Sequence, residues 1–193
     1  MLAEPLRRLD ESERIEGIVV VAPAGWEEPS ILVAEQIGAS KVSACVAGGE
    51  TRAESVRAGL AEVPEEAAIV LVHDAARPFV PGEVIERLIS ALGEGYDGAV
   101  PALPVPDTIK RVSDGLVVET LARDSLVAVQ TPQAFVAARL RAAFGSRDVG
   151  NATDCASLLE AAGGRVKVVE GDERLRKVTT RADLERVEAL LDG

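Results

Sequence analysis

The chain carries its clearest strand signal in the stretch Ala68-Ile69-Val70-Leu71-Val72-His73-Asp74, an unbroken branched apolar run that ends in two polar residues. Such a run is typical of a strand buried on both faces of a parallel sheet, because polar side chains do not alternate along it. Short apolar runs also occur at Gly17 to Ala22 and at Gly98 to Val105, separated by segments of helical period. This alternation predicts an α/β fold with a mostly parallel sheet.

The segments between these strands continue the alternation of strands and helices. A helix is predicted from Thr51 to Val63, because Thr51 and Glu54 have the spacing of a capping box. Other predicted helices are Leu2 to Leu9, Pro29 to Ala39, Pro81 to Leu92 with Gly93 as C-cap, Phe135 to Phe144, Thr153 to Ala162, and Arg181 to Leu191 with Thr180 as N-cap. Other predicted strands are Val42 to Val46, Val127 to Val129 and Val166 to Val169. Because no repeat or linker interrupts the sequence, we expect one domain over residues 1–193.

A β-arm is predicted at about residues 107–124, where the strand–helix rhythm breaks. Apolar and charged residues are mixed there, and Ser113-Asp114-Gly115 is typical of a hairpin turn. An arm that carries apolar side chains needs a surface to cover them, and a second subunit is the simplest candidate. The sequence therefore predicts a homodimer.

Composition excludes several classes of protein. With 21 Lys and Arg against 32 Asp and Glu, the net charge is −11, which argues against binding nucleic acid or an anionic membrane. One His rules out His-rich zinc sites, and two cysteines suit a reducing cytosol rather than a disulfide scaffold. No apolar run approaches the roughly 20 residues that span a bilayer, and no signal peptide is visible. We expect a cytoplasmic protein that acts on small molecules.

Four polar clusters follow predicted strands, where parallel α/β sheets bind their ligands. They are Gly48 to Ser55, His73 to Pro78, Arg123-Asp124 with Gln130 to Gln133, and Arg174 to Thr179. Each also has a simpler interpretation. The first could be a capped turn, and in the second Asp74 could cap a turn while His73 packs as a structural residue. In the third, Arg123 could pair with Asp124 on the surface, and the fourth could be a solvated charged loop.

The side chains available for chemistry favour group transfer without a protein nucleophile. No G-x-S-x-G motif occurs, and neither Cys45 nor Cys155 has a His near it in sequence. Phosphoryl and nucleotidyl transfer need only positioning and positive charge around the reacting phosphates. An Asp at a strand end can also hold Mg²⁺, and Asp74 is the candidate.

Six motifs in order resemble those of the 2-C-methyl-D-erythritol 4-phosphate cytidylyltransferases of the non-mevalonate isoprenoid pathway. They are Ala47 to Val56, Leu71 to Pro78, Pro104 to Lys110, Gln130 to Phe135, Thr153 to Ala156, and Val169 to Gly171 followed by Lys177 to Thr179. The resemblance implies a Rossmann-like nucleotidyltransferase fold and a homodimer joined by exchanged arms. It also implies Mg²⁺-dependent transfer of CMP from CTP to a sugar-alcohol phosphate, with release of pyrophosphate.

Roles for individual residues also follow from the resemblance alone. Arg123 and Lys177 would be the catalytic pair that positions methylerythritol phosphate for in-line attack on the α-phosphate. The other implied binding residues are Gly49, Glu50, Arg52 and Ser55 around the cytidine, Asp74 and Ala75 near the ribose and metal, Thr131 on the acceptor, and Arg77 and Thr108 reaching across from the partner subunit.

The resemblance leaves alternatives open. The family's first strand and its Gly-rich triphosphate loop have no counterpart in these residues, so an inert, N-terminally shortened fragment is one alternative. A cytidylyltransferase for another polyol phosphate, such as ribitol 5-phosphate, is another, because that family shares most of these motifs. Cys155 also stands where an acidic residue is usual, and Leu175 where an Asn often precedes the Lys motif.

Overall fold

The computed structural model describes residues 2–145 and 154–191. Its helices are α1 (Ala3–Glu11), α2 (Glu27–Gln36), α3 (Arg52–Ala61), α4 (Gly82–Gly93), α5 (Ala137–Gly145), α6 (Cys155–Ala161) and α7 (Arg181–Leu191). Its strands are β1 (Ile18–Ala22), β2 (Val42–Ala47), β3 (Ile69–Val72), β4 (Gly98–Pro104), β5 (Lys110–Ser113), β6 (Leu116–Thr120), β7 (Val127–Val129), β8 (Gln133–Val136) and β9 (Val166–Glu170). The predicted start of the sixth helix, Thr153, lies outside the described residues.

The strands form three sheets. β1 and β2 make a parallel pair, β5 and β6 make the hairpin, and a five-stranded sheet contains β3, β8, β4, β7 and β9. In that sheet β9 runs parallel to β4, whereas β7 and β8 are antiparallel to it. The α/β class is confirmed, but the sheet is mixed where the sequence predicted mostly parallel pairing.

Strand β8 is the main difference from the predicted elements. The sequence placed a helix from Phe135 to Phe144, yet Gln133 to Val136 pair with β3 before α5 begins. Phe135 lies opposite Val70 and is fully buried in an apolar cluster that includes residues of α5 and α6. Local sequence does not separate the strand from the helix, because one apolar run continues through both.

The predicted caps are confirmed at two helices and corrected at a third. In α3 the Thr51 side chain accepts from the Glu54 amide while the Glu54 carboxylate accepts from the Thr51 amide. Thr180 and Asp183 exchange the same pair of bonds at α7. Gly93, however, lies within α4 rather than capping it, and the left-handed turn after the helix is at Gly95 with φ 92°.

Strands β5 and β6 pair as an antiparallel hairpin within the segment predicted as a β-arm. Asp114 and Gly115 both have positive φ, 48° and 79°, which suits a tight two-residue turn. Every residue of β5 and β6 is exposed in this single chain. Among the described helices, none combines the length and apolar character needed to cross a bilayer.

Candidate active site

The site is built around Asp74, which follows β3 after one residue, His73. One carboxylate oxygen, Oδ1, accepts a hydrogen bond from Arg52 Nε at 3.1 Å, and the other, Oδ2, accepts one from Lys177 Nζ at 3.0 Å. Three of the four polar clusters of the sequence thus meet at one carboxylate. Asp74 is not a simple turn cap.

Sheet register explains why these residues meet. Val72 of β3 lies opposite Gln133 of β8, which places Thr131 beside Asp74. There the Asp74 amide donates to Thr131 Oγ1 at 3.0 Å. On the other side, the Val178 amide donates to the Ala76 carbonyl at 2.8 Å and holds the Lys177 loop against the Asp74 turn.

The charge state of Asp74 follows from its neighbours. Burial by itself raises the pKa of this carboxyl, but the hydrogen bond from Lys177 and the charge of Arg52 outweigh burial, so the pKa lies below its ordinary value. Asp74 is therefore an anion at neutral pH, flanked by two cations. Such a cluster suits a ligand that itself carries phosphate groups.

His73 is confirmed as an internally satisfied residue. Its Nε2 lies 2.9 Å from the Arg77 carbonyl, and its Nδ1 lies 3.2 Å from Thr131 Oγ1. Burial lowers the pKa of His73 to about 4, so the ring is neutral near pH 7. No local pattern indicates that the partner of this ring is Thr131, since 58 positions separate the two residues.

Cys155 contributes a contact that the sequence did not predict. The Arg52 guanidinium lies 3.7 Å from its sulfur, and the cysteine is almost completely buried. Burial raises the pKa of the Cys155 thiol to about 11, against the effect of Arg52. At neutral pH the Cys155 side chain is therefore a neutral thiol.

The Gly48 to Ser55 loop is ordered by internal bonds. Ser55 Oγ accepts from the Gly49 amide at 3.1 Å and donates to the Thr51 carbonyl at 3.0 Å. A Cβ on Gly49 would lie 2.3 Å from the Cβ of Glu54, so the loop requires glycine there. Gly49 and Glu50 are exposed, whereas the Ser55 hydroxyl is engaged in these bonds within the loop.

Other predicted site residues lie apart from Asp74 or face elsewhere. Arg77 donates from Nη1 to the Leu175 carbonyl of its own chain. Arg123 donates to the Pro106 carbonyl at 2.7 Å instead of pairing with Asp124, and it lies at the exposed base of the arm with Thr108. Within the described residues, no hydrogen bond joins Arg123 or Thr108 to the Asp74 cluster. Ala75 is exposed beside Asp74.

The three cations at residues 174–177 form ion pairs with different carboxylates. Arg174 forms an ion pair with Asp172 at 2.7 Å, and Arg176 lies 3.5 Å from Asp183. Only Lys177 of the three cations turns toward Asp74. The simpler interpretation, a solvated charged loop, thus fits Arg174 and Arg176 but not Lys177.

The residues at the site are too few to hold Mg²⁺ alone, but they fit an ion that is also bound by the phosphates of a ligand. No three His, Cys, Asp or Glu side chains of the described residues converge closely enough to hold a metal. Asp74 alone offers one carboxylate, and each of its oxygens retains a lone pair beyond the bonds from Arg52 and Lys177. Mg²⁺ is commonly held by one or two carboxylates together with substrate phosphates and water.

Comparison with known proteins gives one consistent family. The model of the 2-C-methyl-D-erythritol 4-phosphate cytidylyltransferases (IspD) matches residues 1–193. A cytidylyltransferase of that name from Rubrobacter xylanophilus is 42% identical over 193 residues, covering 98% of this chain and 82% of the relative. The bifunctional enzyme IspD/IspF of Rhizorhabdus wittichii is 47% identical over 189 residues, and the chain spans 48% of its length.

Solved structures agree with the sequence comparisons. The crystal structure of 4-diphosphocytidyl-2C-methyl-D-erythritol synthase from Anaerococcus prevotii superimposes with a TM-score of 0.86 at 28% identity. The match covers 100% of this chain and 89% of that structure. The nucleotidyltransferase fold expected from the sequence is therefore confirmed.

Proposed function

Since the chain belongs to the 2-C-methyl-D-erythritol 4-phosphate cytidylyltransferase family, we propose that it transfers CMP from CTP to 2-C-methyl-D-erythritol 4-phosphate. A phosphate oxygen of the acceptor forms a bond to the α-phosphorus of CTP, and the bond from that phosphorus to the β-phosphate breaks. Pyrophosphate leaves with the bonding electrons. The observation that carries the proposal is the Asp74 carboxylate held between Arg52 and Lys177.

Lys177 acts as a positioning cation for two anionic reactants. Its ammonium is half exposed and anchored on Asp74, so it projects positive charge from a fixed point. Two phosphate-bearing molecules repel each other in water, and a cation between them offsets that repulsion at the reacting atoms. Arg123, from the arm, supplies the second cation when the acceptor is bound.

The Gly48 to Ser55 loop binds the cytidine side of the nucleotide. Exposed Gly49 and Glu50 present backbone groups to the ligand, while the Thr51 capping box fixes the start of α3 behind them. The Arg52 side chain extends from the start of that helix and donates to Asp74, which links the nucleotide loop to the reacting phosphates. Asp74 would hold the Mg²⁺ ion that accompanies CTP, and the ion would supply neutralisation of phosphate charge.

The arm forms the contact between two subunits of a homodimer. Val112 is 56% exposed, and in the facing strand Leu116, Val117 and Val118 are 71%, 60% and 58% exposed. Both faces of the hairpin are thus apolar and uncovered in one chain, and a second arm buries them. Thr108, at the base of the arm, and Arg77 are then the residues that reach across toward the partner's site.

The compartment we propose is the cytoplasm. Cys45 and Cys155 are both thiols, and a buried thiol persists where the surroundings are reducing.

The test is pyrophosphate release by the purified protein with Mg²⁺. CTP is compared with ATP, GTP and UTP, and methylerythritol phosphate with ribitol 5-phosphate. We expect release only with CTP and methylerythritol phosphate together, and loss of release in Asp74→Asn. Release with ribitol 5-phosphate at a similar rate would reject the proposed acceptor, and no release with any pair would reject the activity of this chain.

A further inference from the structure

Gln130 is a buried glutamine whose side chain bonds to both backbone groups of one distant residue. Its Nε2 donates to the Asp172 carbonyl at 2.8 Å, and its Oε1 accepts from the Asp172 amide at 3.0 Å. The side chain thus satisfies the backbone of Asp172 as a neighbouring strand would. Gln130 is 6% exposed, so water hardly competes for these two bonds.

The register of β4 shows which two loops this side chain joins. Ala102 lies opposite Val129 of β7 on one edge of β4 and opposite Glu170 of β9 on the other edge. Gln130 follows β7 directly, and Asp172 follows β9. The Gln130 side chain therefore reaches across β4 and connects the loop after β7 with the loop after β9.

Gly171 leaves the space through which this connection passes. A Cβ there would lie 2.3 Å from Gln130 Oε1 and 2.9 Å from the backbone of Ala102. The Gly171 amide also donates to the Ala102 carbonyl at 2.9 Å. The start of the loop after β9 is therefore fixed both on β4 and on the Gln130 amide.

Both joined loops lead into the Asp74 cluster. Thr131, the residue after Gln130, accepts from the Asp74 amide at 3.0 Å. Lys177, in the loop that begins at Asp172, donates to the Asp74 carboxylate at 3.0 Å. Asp74 thus joins the two loops at one point and Gln130 joins them at another, and two fixed points define the spacing between Thr131 and Lys177.

We propose that Gln130 is a positioning residue, which holds the Lys177 loop in place relative to Thr131 and so sets the geometry of the acceptor side of the site. Its meaning for catalysis rests on the proposed function, which assigns Lys177 to the charge between the two anionic reactants. An amide suits this task because it offers a donor and an acceptor and carries no charge.

Amide hydrogen exchange, resolved by NMR, tests the structural part without any substrate. Gln130→Met keeps the length of the side chain but forms neither bond, so the Asp172 amide loses its acceptor. We expect exchange at Asp172 and Val178 to accelerate at least about tenfold relative to the slowest amides, which report global unfolding. An unchanged rate at Val178, next to Lys177, would overturn the proposal, because the loop would then be held without Gln130.

Gln133→Met is the matched control for this experiment. Gln133 is 1% exposed, and its Nε2 donates to the Asp154 carboxylate at 2.9 Å. The same substitution there removes a buried amide that contacts the start of α6 instead of the Lys177 loop. We expect wild-type relative exchange at Asp172 and Val178, and equal acceleration in both variants would reject a specific role for Gln130.

The second test measures pyrophosphate release. Gln130→Met should lower kcat/KM for the acceptor by about 10- to 100-fold and leave KM for CTP within about threefold, because a small misplacement on one side of a site impairs the reactant held there. In Lys177→Gln the same substitution should cost less than about threefold, because its effect passes through Lys177. Gly171→Ala displaces the Gln130 amide from the opposite side and should also lower kcat/KM for the acceptor at a temperature where the variant is folded.

The outcomes separate the two proposals. A wild-type protein that releases no pyrophosphate rejects the proposed function, and amide exchange still decides whether Gln130 holds the Lys177 loop. An active enzyme in which Gln130→Met matches wild type, or in which the losses from Gln130→Met and Lys177→Gln multiply in full, rejects the positioning role and leaves the proposed function intact.

Discussion

The ammonium of Lys177 lies 3.0 Å from the carboxylate of Asp74, although 103 positions separate the two residues in the chain. The side chains are 45% and 18% exposed, so water screens the pair and its contribution to stability is small. We therefore infer that the pair places a positive charge beside an ordered carboxylate. We expect its loss to reduce catalytic turnover more than it reduces stability.

Replacing Lys177 by Gln removes that charge while keeping a similar length. We expect kcat/KM for the acceptor to fall by about 10²–10³-fold, as when one electrostatic contact to a transition state is lost. Pyrophosphate release at varied acceptor concentration measures the effect. The matched control is Arg181→Ala, which removes a cation that is 93% exposed on α7, and equal losses in both variants would contradict a specific role.

Asp183 should govern stability in acid. Its Oδ2 accepts bonds from the backbone amides and hydroxyls of Thr179 and Thr180 at 2.8–3.2 Å. The Thr180 hydroxyl and the Thr179 amide, with the other bonds, lower the pKa of Asp183 from its ordinary value of 3.8 to about 2. A lowered pKa means that the stabilising effect is complete above pH 3.8 and is lost as pH falls through 2.

Thermal unfolding followed by circular dichroism tests this at several pH values. Wild type should lose melting temperature between pH 4 and pH 2 by more than Asp183→Asn does, because the variant has no carboxylate to protonate. If the melting temperatures of the two proteins fell equally between pH 4 and pH 2, carboxylates other than Asp183 would control acid unfolding.

Gly171 should not tolerate a side chain. A Cβ there would lie 2.3 Å from Gln130 Oε1 and 2.9 Å from the backbone of Ala102. Because β4 cannot move aside, we expect Gly171→Ala to reduce the free energy of unfolding by about 1–3 kcal/mol. Gly93→Ala is the control, since its Cβ meets nothing within 4 Å and alanine favours a helix by roughly 0.5–1 kcal/mol over glycine. In urea denaturation, the free energy of unfolding should fall in Gly171→Ala and rise in Gly93→Ala.

Charged residues on the arm should dissociate the proposed dimer. In Val112→Lys with Val118→Lys, one charge lies on each of the two hairpin strands, and burying them without a partner is costly. Sedimentation velocity should show a dimer for wild type and a monomer for the double variant. Trp26→Ser is the control, because Trp26 is 62% exposed away from the arm. A wild-type monomer, or a dimer that survives both changes, would reject the arm as the interface.

Prediction from sequence succeeded where neighbours along the chain determine the structure. The apolar run of β3, the capping box at Thr51 and the turn at Asp114 each depend on a few adjacent residues. The candidate cluster was found because ligand-binding residues were sought after strand ends, and Arg52, Asp74 and Lys177 do follow β2, β3 and β9 along the chain.

What the sequence did not contain was the pairing between distant segments. The strand at Phe135 depends on its pairing with β3, 65 residues earlier, and its apolar sequence suits a helix equally well. The contact of Arg52 with Cys155 and the bond between His73 and Thr131 are also products of that packing. Residue type indicated which side chains could react, and packing determined which of them meet.

The separate pair of strands β1 and β2 has a consequence for amide exchange with solvent. Within the described residues no ladder joins it to the five-stranded sheet, and it packs on its own apolar cluster of Leu6, Ile18, Val20 and Ala34. A two-stranded sheet is marginal alone, so we expect its amides to exchange through openings that leave β4, bonded on both sides, protected. The Gly48 loop follows β2 directly, and we expect it to loosen with each opening. A nucleotide held by that loop should therefore slow amide exchange in β1 and β2.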